Sequence, residues 1–123
     1  MTGKTVDIIG AGMAGLTAAL AFSRKGWTVR LREQTAELRE VGAGLQLSPN
    51  ATRILLALGL GEGLAPSLHK PGRIALASGL SLNTIAYVPA GAEAERRWQA
   101  PYGVIHRADL QTALFEAVGE YPN

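Results

Sequence analysis

A chain of 123 residues, 47% of them apolar, is about the size of one domain with a modest core. A net charge of +2, from 12 basic residues scattered among 10 acidic ones, is too small and too dispersed to indicate nucleic acid. The absence of cysteine excludes disulfides, thiolate metal sites and a cysteine nucleophile, and His69 and His106 form no recognisable metal spacing.

Thr5–Ile9 is short, β-branched and apolar apart from Asp7, the composition of a buried parallel strand. A helix is predicted over Met13–Lys25, because Leu16, Ala19 and Leu20 recur at helical spacing, as do Ala14, Ala18 and Phe22. Arg24 and Lys25 fall in its last turn, where cations favour the dipole, and Gly26 follows as the C′ residue. Trp27–Glu33 alternates Val29 and Leu31 with Thr28, Arg30 and Arg32, which gives a second strand with one polar face. The three segments make one strand–helix–strand unit. The stretch from Glu40 to Ala51, EVGAGLQLSPNA, is rich in glycine and reads as irregular. Ser48 then suits an N-cap with Pro49 at N1, for a helix from Asn50 to about Leu58 that Gly59 stops. Arg73–Val88 holds two β-like runs bent near Ser78-Gly79, a hairpin pattern. Gly91–Arg97 is small and charged and reads as an exposed loop, with Arg96-Arg97 solvated. Tyr102–His106 is a predicted strand, and Ala108–Val118 a final helix with Leu110, Ala113, Leu114 and Ala117 on one side. No run reaches the ~18–20 apolar residues of a membrane span. Asp7 and the glycines interrupt what could pass for a secretory leader, so a cytoplasmic location is expected.

The spacing Gly10-x-Gly12-x-x-Gly15 follows a strand and opens a helix, as a dinucleotide-binding fingerprint requires. Gly10 allows the tight turn, Gly12 lets a pyrophosphate approach the backbone, and Gly15 lets the helix pack on the strand. The anion then meets unpaired N–H groups at a helix N-terminus. Glu33 stands about 20 residues on, at the end of the second strand, where a carboxylate accepts ribose hydroxyls and repels a 2′-phosphate. These residues alone leave FAD and NAD both open.

Later segments separate the two. ELREVGAGLQLSPNA, from Glu37 to Ala51, and HRADL, from His106 to Leu110, closely resemble the N-terminal part of FAD-dependent aromatic-ring monooxygenases. The similarity is strongest to the salicylate hydroxylase-like branch and runs from about Val6 to Leu114. It implies an α/β fold: a Rossmann-like βαβ FAD-binding unit with a β-hairpin insertion, truncated relative to the family. Residues 1–72 and 102–123 would form the FAD-domain part, and 73–101 a hairpin of the substrate-side sheet. Gly10, Gly12, Ala14 and Gly15 would then surround the FAD pyrophosphate. Glu33 would hold the adenosine ribose, with Gln34 near the adenine. Gly44 and Gln46, in the Gly42–Gln46 loop, would pass beside the flavin, and Arg107 would be the FAD-contacting arginine, with Arg39 a lesser candidate. In that family NAD(P)H reduces the flavin, and oxygen from O₂ is delivered to an electron-rich aromatic ring. No residue is assigned to catalysis or to a metal. His106, Trp98, Tyr87 and Tyr102 read as packing residues, and Asp109 as a first-turn acid.

The family's later Asp-Gly and Gly-Asp motifs are missing, with most of the substrate-binding sheet. The chain is therefore expected to be the N-terminal piece of a longer enzyme, inactive by itself. An open sheet edge would favour pairing with another copy or with the missing half. Asp7 and Arg30 depart from the small or apolar residues usual at their positions. Two alternatives stand beside this reading. One is the NAD-binding domain of a dehydrogenase or reductase, in which HRADL has no evident role. The other is a non-catalytic dimerising remnant that binds no dinucleotide.

Overall fold

The strand–helix–strand unit forms as its sequence pattern dictates. In a computed structural model describing residues 3–38 and 42–123, β1 (Thr5–Ile9) and β2 (Thr28–Arg32) flank α1 (Met13–Arg24). The strands are parallel, in register from Thr5 opposite Thr28 to Ile9 opposite Arg32. Alternation puts Val6, Ile8, Val29 and Leu31 on the half-buried face, and α1 packs against both strands. The other face is exposed, so β1 is covered on one side only, and Ile9 remains 80% exposed. On that face the Asp7 carboxylate lies 3.9 Å from the Arg30 guanidinium and 3.8 Å from that of Arg32. The two departures from the family pattern are thus cross-strand partners, a solvent-exposed pairing worth about 0.2–1 kcal/mol.

Gly26 ends α1 at φ +77°, donating to the Ser23 carbonyl while Trp27 donates to Phe22. This is a Schellman closure, and a left-handed backbone at that point favours glycine. Gly59 closes α2 (Pro49–Ala57) in the same way at φ +86°. Ser48 is the N-cap of α2 and Pro49 its first residue, but the serine side chain makes no capping hydrogen bond.

Two local expectations are corrected, and one short element is added. The glycine-bearing stretch is ordered as β3 (Gly44–Leu47), antiparallel to β6 (Gly103–His106), with Gly44 opposite His106. That pairing joins segments far apart in sequence, so no local pattern reveals it. The four-residue α3 (Gly61–Leu64) follows α2 and buries Leu64. The charged segment predicted as a loop is helix α4 (Ala92–Trp98), with Glu93 and Glu95 in its first turn and Arg96 and Arg97 in its last. Ala, Glu and Arg are strong helix formers and those charges complement the dipole, while Ala90, Ala94 and Ala100 are buried.

The hairpin is present as β4 (Arg73–Ala77) and β5 (Thr84–Pro89), a separate two-stranded sheet. The final helix, α5 (Arg107–Gly119), packs on α1. Leu16 and Leu20 of α1, Leu47 of β3, Leu55 of α2, Ile105 of β6 and Leu114 of α5 belong to one buried cluster. The core therefore fixes the glycine turn relative to β3, β6 and the start of α5.

A side chain at Gly15 would overlap the Gly10 carbonyl oxygen and touch the Ile8 side chain, whereas one at Gly12 would meet open space. Gly15→Ala is therefore expected to destabilise the fold by about 1–3 kcal/mol, as overpacking does. Gly12→Ala should stay within about 0.5 kcal/mol of the parent. Urea denaturation of both variants checks this, and equal stabilities would contradict it.

Candidate functional site

The turn between β1 and α1 is built from main-chain groups. Gly10 adopts φ +99° and donates its N–H to the Arg32 carbonyl at 2.7 Å, the last rung between the strands. Gly12 is the N-cap of α1, and the first intrahelical bond runs from Leu16 N–H to its carbonyl at 2.9 Å. No side chain caps this end, and the first turn carries no acidic residue. The N–H groups of the first turn, including exposed Ala14, therefore lack intrahelical acceptors at the positive end of the dipole. A helix end in that state takes an anion.

Glu33 lies immediately after β2 and reaches back to this turn. Its Oε2 accepts the Ala11 N–H at 2.7 Å, and its Oε1 accepts the N–H groups of Gln34 at 2.8 Å and Thr35 at 3.2 Å. These bonds, that from Ala11 foremost, hold the Glu33 pKa below its ordinary 4.5. A carboxylate offers about four acceptor positions, so with three used Glu33 retains capacity for a ribose hydroxyl. Beside it opens a cavity of about 570 Å³, lined by Ala11, Leu31, Glu33, Thr35, Gln111 and Phe115 among others. Its size falls within the range of small-molecule sites.

A second group of predicted residues meets across the β3–β6 pair. Gly44 and Gln46 are exposed on β3, and Arg107 is the first residue of α5. The Arg107 N–H donates to the Ala43 carbonyl at 3.4 Å, and a Cβ at Gly42 would lie 3.6 Å from Arg107 Cδ. The arginine stem thus lies beside Gly42, within ordinary contact distance of where a Cβ would stand.

The predicted residues therefore form two clusters: Gly10, Gly12, Ala14, Gly15 and Glu33 at the turn, and Gly44 and Arg107 at the start of β3, with Gln46 further along that strand. Gln34 contributes its main-chain N–H to Glu33, but its side chain is exposed and is not among the cavity-lining residues; Thr35 and Ala36 are. Arg39 lies outside the described residues. His106 is exposed at the end of β6 rather than packed, and Asp109 does occupy the first turn of α5. Tyr102 is buried, but Trp98 and Tyr87 are about half exposed, at 44% and 49%, each beneath an arginine guanidinium. The Ala11 main chain, Thr35, Gln111 and Phe115 were missed. Only Gln111 left a signal, as a polar residue on the helix face that buries Leu110 and Leu114. A further apolar cleft of about 390 Å³ separates the hairpin from α2 and α4, with Arg53, Trp98 and Tyr102 in its walls.

Comparison with known proteins agrees with this geometry. The FAD binding domain family matches residues 5–45, which include β1, the glycine turn, α1 and β2 and reach the start of β3. The chain is 42% identical over 114 residues to 3-hydroxybenzoate 6-hydroxylase 1 of Aquipseudomonas alcaligenes, covering 93% of this chain and 29% of that protein. It is 41% identical over 109 residues to 3-amino-4-hydroxybenzoate 2-monooxygenase of Streptomyces cremeus, covering 89% of this chain and 28% of that one. The chain is thus similar to a portion of aromatic-ring hydroxylases and monooxygenases, and within it residues 5–45 match an FAD binding domain. In three dimensions it resembles 2-methyl-3-hydroxypyridine-5-carboxylic acid oxygenase, with a TM-score of 0.84 at 28% identity, over 98% of this chain and 30% of that one. The chain spans under a third of the length of these relatives.

Because the folded pKa of Glu33 lies below 4.5, its bonds contribute fully above that value and are lost as pH falls through the lowered one. Unfolding free energy is expected to fall more steeply below pH 4.5 for the parent than for Glu33→Gln. Urea titrations across that range measure the difference, and parallel profiles would contradict it.

Proposed function

We propose that the chain binds FAD, with the ADP half on the glycine turn and the flavin end toward Gly42–Gln46 and Arg107. In the whole protein this portion would serve a monooxygenase that hydroxylates an aromatic substrate with NAD(P)H and O₂. The observation that carries the reading is the vacant side-chain position at Gly12, before an uncapped helix and beside the Glu33-anchored turn. Those residues fit a pyrophosphate and a ribose. Bound there, the flavin supplies the redox and oxygen-transfer chemistry. The chain's own residues bind and orient it: amides of α1 on the pyrophosphate, Glu33 on the ribose, and the Arg107 cation near the flavin end.

An NAD-binding domain would share the turn, but the HRADL segment with Arg107 would have no evident role in it. Glu33 disfavours a 2′-phosphate at this site. No residue of this chain is assigned a catalytic role. Residues 1–72 and 102–123 belong to the FAD part, and 73–101 to the substrate side. Among the described residues no helix is long and apolar enough to cross a membrane, and the expected location is the cytoplasm.

The spectrum of the purified chain, desalted after incubation with FAD, tests the binding. Gly12→Leu should abolish retention, and Arg107→Ala should weaken FAD roughly tenfold, equivalent to about 1.4 kcal/mol. Loss with Gly12→Leu but none with Arg107→Ala would favour the NAD reading.

Leu76, Leu80, Leu82 and Ile85 of the hairpin region are exposed, and both strands of the parallel pair lie at sheet edges. Such surfaces favour association with a second copy or with the rest of a longer protein. Sedimentation at tens of micromolar is expected to show self-association, and a strictly monomeric species would contradict it.

A further inference from the structure

Ala11 is 3% exposed and lies between the last rung of the sheet and the first turn of α1. Its carbonyl precedes the Gly12 N-cap and so stands outside the helical ladder. A buried carbonyl left without a donor is costly, and here the donor comes from a distant helix. Gln111 of α5, 6% exposed, donates Nε2–H to the Ala11 oxygen at 3.2 Å. The orientation of that amide follows from its partner, since a carbonyl oxygen only accepts. On its other side Ala11 donates its N–H to Glu33 at 2.7 Å. Both main-chain groups of one residue are thus held by side chains from two other segments.

We propose that Gln111 is a positioning residue for the glycine turn. With Glu33 it grips both main-chain groups of Ala11, and thereby sets Gly12 and the first amides of α1 before a dinucleotide arrives. Two rotatable bonds flank each α-carbon in this turn, and Gly10 and Gly12 restrict them least of all residues. Fixing Ala11 between those glycines removes ordering that binding would otherwise have to supply. Packing alone does not explain the choice of residue, because the other buried residues of α5, Leu110, Ala113 and Leu114, are apolar. The ligand side of the proposal rests on the dinucleotide reading; the clamp itself does not.

The test is Gln111→Met in the full chain, a nearly isosteric change that removes the donor and keeps the packing volume. Amide hydrogen exchange at Ala11 and Gly12 is expected to quicken at least about tenfold relative to Leu20 in the core, as loss of one buried hydrogen bond allows. Calorimetry should show ADP binding weakened roughly tenfold and adenosine binding little changed, since the turn faces the pyrophosphate. Exchange that quickens equally at Ala11 and Leu20, or an adenosine loss equal to that of ADP, would overturn the proposal. If the variant does not fold, a scalar coupling across the hydrogen bond from Gln111 Nε2 to the Ala11 carbonyl carbon in the parent chain decides, and its absence overturns the clamp. A parent chain that binds neither ADP nor adenosine, while the variant loosens Ala11 selectively, would overturn the dinucleotide reading and leave the clamp standing.

Discussion

The site depends on how closely α1 approaches the strand that precedes it. A β-carbon at Gly15 would overlap the Gly10 carbonyl oxygen, so the first turn of the helix lies directly on the turn it leaves. That approach aims the free amides of α1 past the end of β1, and it leaves Gly12 as the one turn glycine with an extended backbone and open space where a side chain would be. The positive end of the helix and the vacant volume therefore coincide. A larger residue at Gly15 would tilt the helix and separate them. Gly10 matters for a different reason, its φ of +99°, which side chains rarely permit.

Around this contact, long-range hydrogen bonds do what local sequence cannot. Glu33 closes the turn from the end of β2, and Gln111 closes it from α5. Thr52, itself buried, holds α2 to the segment before β6 by donating to the Pro101 carbonyl at 2.6 Å. The β3–β6 pair then carries Gly44 and Arg107 to one place. The two clusters stand on one hydrophobic core, so their separation is fixed by packing rather than by loop conformation. An extended ligand with a charged centre and two distinct ends is what such an arrangement can hold.

Much of this was legible in the sequence where the signal was local. The bounds of β1 follow from its β-branched run, those of α1 from periodicity and Gly26, and those of α2 from its Ser48-Pro49 start and Gly59. The turn glycines and Glu33 are recognisable because their spacing has a steric meaning. The hairpin and α5 were legible for similar reasons. What escaped was non-local or compositional. β3 exists only through its pairing with β6. The α4 segment was masked because a run of alanine and charge reads equally as a solvated loop, until the buried alanines that anchor it are seen. The hydrogen bonds to Ala11 escaped because main-chain partners leave no residue-type signature, and Gln111 was visible only as a polar interruption in an apolar face.

The function proposed for this chain rests on the glycine turn and the open end of α1 receiving the pyrophosphate of a dinucleotide. Titrating the ¹⁵N-labelled chain with ADP, while following every main-chain amide, tests it most directly. Gly12, Met13 and Ala14 are expected to shift most and together, with smaller changes at Gln34 and Thr35 beside Glu33. Shifts confined to the cleft around Arg53 and Trp98, or no saturable shifts at the turn, would contradict it.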